Sequence, residues 1–278
     1  MREIELSAGT IEFEDTGGEG PAVVLVHGLI MDGSLWSGVI DDLRADFRCI
    51  APTLPLGGHR HPMRADADLS MRGIAAILGE LIERLDLHEL TLAMNDWGGP
   101  QLLVGGVHDA RIARLALCSC EAFDNVPPKG AARLLPYIAR VPGGIAAAVM
   151  PFRFDRLRRL PMTYGPLSKR PVPREVMDRW FGPIVESSEI RRDLRKYVVD
   201  AAQARRDLLA AADALRGFDR PALVAWASED RLMPREHGRR LADLLPQGQL
   251  AEIADCRTLI PADQPAALAG HLRELLAR

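Results

Sequence analysis

Short apolar runs that alternate with amphipathic stretches constrain this chain more than any other feature. Ala22–Val26 is continuous and rich in β-branched residues, which predicts a strand buried on both faces. Arg48–Pro52, Glu89–Asn95, Ile112–Cys118, Ala222–Trp226 and Leu250–Ile253 read as further strands. Residues 3–7 and 10–15, split by Ala8-Gly9, read as a strand pair. Ser34 is expected to cap a helix to about Ala45. Ser70 is expected to cap one that carries Ile74, Ile77, Leu78, Leu81, Ile82 and Leu85 at helical spacing. Other helices are expected from the turn after Asn95 to about Gly106, from about Arg235 and from about Asp263. Strand and helix in alternation predict an α/β fold, a mostly parallel sheet with helices on both faces.

The alternation stops after Glu121. Residues 122–214 carry many prolines and helix-like segments, among them Ala131–Ile138, Arg174–Phe181 and Glu189–Leu215, and no run that reads as a buried strand. The expected organisation is therefore a core over residues 1–121, a helical cap over 122–214 placed above the strand ends, and the rest of the core over 215–278.

A hydrophobic fraction of 47%, a charged fraction of 26% and a net charge of −3 describe an ordinary globular protein. Nothing electrostatic favours nucleic acid or an anionic membrane as partner. Arg153, Arg156, Arg158 and Arg159 form the densest basic cluster and are expected to make a solvated helix face. Cys49, Cys118, Cys120 and Cys256 sit in apolar contexts without CxxC spacing, as reduced core thiols would, and no metal site or cofactor is expected. The N-terminus does not read as a signal peptide, and no apolar run approaches the ~18 residues of a membrane span, so a cytoplasmic protein is expected. The oligomeric state is open, with a homodimer as one expectation.

The chemistry concentrates at Asn95-Asp96-Trp97-Gly98-Gly99. A strand that turns sharply into a helix throws the apex side chain outward, and small neighbours make room for the turn. A carboxylate at that apex can be a nucleophile or a base; the plainer alternative is a cap of the following helix.

Four motifs, in order, resemble the α/β-hydrolase superfamily in its aspartate-nucleophile branch, the haloalkane dehalogenases and epoxide hydrolases. They are His27-Gly28 with Trp36 downstream, Leu54-Pro55-Leu56-Gly57-Gly58, the Asp96 turn, and Trp226-Ala227-Ser228-Glu229-Asp230 followed by Pro234. The resemblance implies that Asp96 attacks an electrophilic carbon of a small, mainly apolar substrate to form an alkyl-enzyme ester. It implies backbone N–H groups of Leu29 and Trp97 as the oxyanion hole and Asp230 as the acid that orients a base; the Trp97 indole is a halide donor or simply a core aromatic. Pocket residues implied are Trp36, Tyr164 as a proton donor among Tyr137, Tyr164 and Tyr197, and Trp180, for which core packing is the alternative. Leu29 stands where many dehalogenases carry an asparagine that binds halide.

The pattern breaks near the C-terminus. Thr258 stands where the family places the histidine that activates water, and a hydroxyl is no base near neutral pH. His27, His88, His108, His237 and His271 read as structural or surface residues. His59 and His61, in the loop Gly57–Pro62, and Glu121, two residues past the family's match at Ser119, are the alternative bases or acids. Each has a bland reading as a solvated side chain. Three functions follow: a hydrolase with an unorthodox base, a non-hydrolytic isomerase, lyase or cyclase with Asp96 as general base, or a ligand-binding homologue that has lost turnover.

Overall fold

The computed structural model describes residues 1–278, apart from the side chain of Ala131. Eight strands form one sheet in the order β1-β2-β4-β3-β5-β6-β7-β8. They are β1 Arg2–Leu6, β2 Gly9–Asp15, β3 Ala22–Val26, β4 Arg48–Pro52, β5 Leu90–Asp96, β6 Ile112–Cys120, β7 Ala222–Ala227 and β8 Gly248–Ile253. β1 and β2 pair antiparallel with each other, as β2 does with β4, and every other pairing is parallel. Every residue of β5 is buried, as two-sided coverage of a central strand requires. The expected mostly parallel sheet with helices on both faces is the one observed.

The helices are α1 Ser37–Leu43, α2 Met71–Arg84, α3 Leu135–Ile138, α4 Gly144–Val149, α5 Asp155–Arg158, α6 Arg174–Glu186, α7 Ser188–Val199, α8 Ala201–Leu215, α9 Arg235–Leu244, α10 Ile260–Asp263 and α11 Pro265–Leu276. α1 packs on α11, whereas α2 packs on α8. Ser70 caps α2 through Gly73 N–H at 3.1 Å, as its sequence predicts. Between β6 and β7 the chain is helical, without a strand among the described residues.

Several local expectations fail for identifiable reasons. Asp32, not Ser34, caps the first turn after β3: its carboxylate accepts from Ser34 N–H at 2.9 Å, and α1 itself starts only at Ser37. After Asp96 the chain forms a 3₁₀ turn, Gly99–Leu103, rather than a helix to Gly106. Glycines at 98, 99, 105 and 106 and Pro100 leave too short a stretch of helix formers. The stretch 189–215 is two helices separated at Asp200. Arg158 is buried rather than solvated, bound to the Phe152 carbonyl and Asp178 and lying over the Phe181 ring. His237 is likewise buried, edge-on to Phe123 at 5.1 Å.

The strand order reverses between β3 and β5, because β3 connects outward to β4 and β5 outward to β6. The carboxyl ends of strands at such a reversal leave a crevice where open α/β sheets bind ligands. His27–Leu29 follow β3 and Asp96 ends β5, so both lie there; Glu121 directly follows β6. Residues of the helical insertion close over this crevice and line a pocket with them.

Candidate active site

Asp96 ends β5 with φ 68°, the left-handed region that a non-glycine residue enters only under constraint. The constraint is visible on both sides of the residue. Asn95 donates through Nδ2 to the Cys118 and Thr258 carbonyls, both at 2.7 Å, and Trp97 N–H closes back on the Asn95 carbonyl at 2.9 Å. The apex therefore holds the Asp96 carboxyl fixed, with one oxygen accepting from Leu29 N–H at 3.2 Å. Gly28 makes this approach possible: a Cβ there would lie 1.9 Å from Asp96 Oδ2. A Cβ on Gly98 would meet the Glu121 carbonyl at 2.3 Å, so the turn and the end of β6 also touch backbone to backbone.

His27 holds the other wall. Leu54 N–H donates to its Nε2 at 2.9 Å, which leaves Nδ1 to donate to the Gly28 carbonyl at 2.7 Å. Burial pushes its pKa down to about 4, so this ring is a neutral brace. The Leu29 N–H thus points at Asp96 Oδ2. Trp97 N–H does not, because the tight turn commits it to the Asn95 carbonyl.

The pocket brings together Leu29, Asp96, Trp97, Glu121 and Tyr197, with Val126–Pro128, Leu135, Pro136 and Val198 supplying an apolar roof. About 50 Å³ is free inside, room for a few waters or a short aliphatic group. The Trp97 indole Nε1 is buried without a close hydrogen-bond partner among the described residues, and the Tyr197 hydroxyl is its polar neighbour in the pocket. An orphaned N–H in a pocket wall is an available donor to an anion. Burial pushes Asp96 up to about 7 against a lowering by the Leu29 N–H, and the charge of Asp230 adds a smaller push upward.

Thr258 faces Asp230. Its hydroxyl donates to Asp230 Oδ1 at 2.8 Å, an oxygen that also accepts from Leu232 and Met233 N–H at 2.8 Å each. Asp230 Oδ2 is buried without a partner among the described residues, and burial raises the pKa of this carboxyl. The acid and the residue opposite it are therefore in contact, with no ring nitrogen between Asp230 and Asp96.

Four expected site residues lie elsewhere. His59 is buried, but its Nε2 faces Asp193 of α7 at 3.3 Å, so it ties the loop after β4 to the helical insertion. His61 pairs with Glu3 at 3.2 Å on the β1 edge of the sheet, outside the pocket. Trp36 is fully buried in the core and does not line the pocket. Trp180 is also buried, its Nε1 given to Ser34 Oγ at 3.0 Å beside the Arg179–Asp32 ion pair. His59, His61 and Trp180 each found a partner distant in sequence, which spacing along the chain does not reveal.

Two others behave differently from expectation. Glu121 is not an exposed linker carboxylate: it is 7% exposed and lines the pocket beside Asp96. Ser119 Oγ accepts from Ala227 N–H on β7 at 3.0 Å and lies against the Asp230 carboxyl. Burial, and next the charge of Asp96, raise the Tyr164 pKa, but its hydroxyl donates to the Leu29 carbonyl at 2.5 Å. Tyr197 is the tyrosine that lines the pocket, edge-on to Trp97 at 6.5 Å. Its place was legible only in part, from helical spacing with Leu194 and Val198 on one buried side of α7.

The fold recurs in known proteins. The model of a family described as alpha/beta hydrolase fold matches residues 21–264. A cis-3-alkyl-4-alkyloxetan-2-one decarboxylase of Xanthomonas campestris is 27% identical, over 94% of this chain and 89% of the relative. Haloalkane dehalogenase 2 of Mycobacterium tuberculosis is 25% identical, over 98% of this chain and 93% of its own. Among solved structures, the haloalkane dehalogenase DbeA of Bradyrhizobium elkani superposes with a TM-score of 0.80 at 20% identity, covering 99% of this chain and 97% of that one.

Proposed function

The chain belongs to the alpha/beta hydrolase fold family, and from that premise we propose that it is a hydrolase whose Asp96 carboxylate attacks an electrophilic, tetrahedral carbon of a small apolar substrate. The new bond joins Asp96 Oδ to that carbon, the leaving group departs, and the resulting ester is cleaved by water. Splitting one displacement into two easier ones is the gain of covalent catalysis. The single observation that carries this reading is the Asp96 carboxyl itself, held at a left-handed apex with one oxygen on Leu29 N–H and set in an apolar pocket. A buried, poorly solvated carboxylate is a stronger nucleophile than a hydrated one. The Trp97 Nε1–H supports the same reading as a donor for charge on the leaving group. The helical insertion acts as the cap that excludes bulk water. The relatives named above are in keeping with it, since one displaces halide and another acts on a strained four-membered ring.

Thr258 favours a second reading. With a hydroxyl already donated to Asp230 and no imidazole opposite it, ester hydrolysis lacks its usual base. Non-hydrolytic chemistry on the same scaffold, such as the ring decarboxylation named for the Xanthomonas relative, consumes no water.

Intact-mass spectrometry after incubation with 1-bromobutane and with 1,2-epoxybutane separates the readings. Turnover with a transient adduct on Asp96 supports the hydrolase. A permanent adduct supports alkylation without hydrolysis, and therefore the second reading. Absence of adduct and of turnover, or activity that survives Asp96→Asn, overturns the nucleophile assignment.

A further inference from the structure

Glu121 is a buried carboxyl without a cation. No lysine, arginine or histidine among the described residues forms an ion pair with it, and its one side-chain contact is Gly98 N–H, 3.5 Å from Oε2. Its backbone is locked to the elbow from both directions. Glu121 N–H donates to the Asp96 carbonyl at 2.9 Å, and Gln101 Nε2 donates to the Glu121 carbonyl at 2.7 Å. The side chain is thereby fixed in the pocket wall beside Asp96. A structural carboxylate this deeply buried is ordinarily paired or multiply hydrogen-bonded, and this one is neither.

We propose that Glu121 is the proton carrier of this pocket, giving a proton to the leaving oxygen while Asp96 attacks and taking one from water when the ester is cleaved. The inference rests on the Asp96 reading above. It supplies the function that the missing histidine would otherwise leave vacant. Two neighbouring carboxyls in a site with no cation do not both ionise. Asp96, with the shorter contact to a backbone N–H, is the one that loses its proton first; burial, and next the charge of Asp96, then hold Glu121 well above the ordinary glutamate range. The resting pair is an Asp96 carboxylate beside a Glu121 carboxylic acid.

The proton count closes over a full cycle with an epoxide. Asp96 Oδ bonds to a ring carbon, the carbon–oxygen bond of the ring breaks, and the freed oxygen takes the Glu121 proton. Glu121, now a carboxylate, accepts a proton from water as that water adds to Asp96 Cγ. When the tetrahedral adduct collapses, the alkoxide leaves with the proton of the new Asp96 carboxyl. Products are the diol, an Asp96 carboxylate and a Glu121 acid, the state in which the cycle began. A halide needs no proton, and for it the pocket offers the Trp97 indole alone, because Leu29 has no side-chain donor. The arrangement therefore favours a leaving oxygen in a strained ring over a halide.

Glu121→Gln tests this. Rapid-quench mass spectrometry gives the rate of Asp96 ester formation from 1,2-epoxybutane and from 1-bromobutane. The ratio of the epoxide rate to the bromide rate is expected to fall on the order of 10²–10⁴-fold in the variant, the usual worth of general acid catalysis. The ester that does form from the epoxide is expected to persist in the variant, because its hydrolysis has lost the carboxylate that takes the proton of water. An unchanged ratio, with alkylation intact, overturns this inference and leaves the Asp96 reading standing. Absence of alkylation of the wild-type protein by either probe overturns both. Should the variant fail to fold, the wild type decides through its pH profiles. The titratable groups within reach of Glu121 are Asp96, Cys120 and Tyr197. Epoxide alkylation should decline at high pH as the Glu121 proton is lost, while bromobutane alkylation should rise with Asp96 ionisation and stay high. Superimposable profiles overturn the inference.

Discussion

Replacing Asp96 by asparagine should make the protein more stable, and increasingly so as pH rises. Asp96 is 8% exposed and its pKa stands at about 7 against an ordinary 3.8. Burial is the main cause and Asp230 adds to it, against the Leu29 N–H. An acid whose folded pKa is raised loses its proton first in the unfolded chain. Folding stability is thus untouched below pH ~4, falls as pH climbs from there towards 7, and stays low beyond. At ~1.4 kcal/mol per pH unit the interval corresponds to up to about 4 kcal/mol. Asparagine keeps an oxygen for Leu29 N–H but cannot ionise, so its variant escapes this loss. Urea unfolding of both proteins at pH 4, 6 and 8 measures it. The stability difference should grow by up to about 4 kcal/mol in favour of asparagine between pH 4 and 8, or on the order of 10 °C in Tm at the upper pH. Parallel stability curves would mean that Asp96 is solvated like a surface carboxylate, and the account of a desolvated nucleophile would fail with them.

Other consequences are more local. Gly28→Ala places a methyl 1.9 Å from Asp96 Oδ2, so alkylation of Asp96 should slow at least ~10²-fold with circular dichroism unchanged; labelling at the wild-type rate would contradict the packing. Thr258→Val removes one of three donors to Asp230 Oδ1 and should cost about 1–3 kcal/mol by urea unfolding, a loss absent if the 2.8 Å contact does not form in solution. Asp32→Ala strands Arg179 and Arg60 and frees α6 from the loop after β3, at a cost of about 3 kcal/mol; thermal melts that match the wild type would refute the anchoring role of this fully buried carboxylate.

The legible part of this protein was whatever its chemistry repeats at short range. β3 and β4 begin and end where their apolar runs do, and Ser70 caps α2, because strand burial and capping are decided by neighbours within a few residues. The apex at Asp96 was legible for the same reason: Trp-Gly-Gly after an apolar strand leaves a sharp turn as the simplest backbone path. Helix ends fared worse, since the break at Asp200 and the short turn after Gly99 depend on what each end packs against.

By itself the sequence determined the alternation of strand and helix, the acid at the turn after β5, and the threonine at position 258. The tertiary structure alone decided what those residues meet. Asn95 reaches Thr258 across 163 residues and His59 meets Asp193 across 134, distances over which no spacing rule operates. The same long-range closure drew His59, Trp36 and Trp180 into structural contacts and brought Glu121 beside Asp96. Side-chain chemistry is written locally, but desolvation and charge pairing belong to the volume a side chain ends up in. That is why one glutamate past the end of β6 reads as a linker in sequence and as the second acid of the pocket in space.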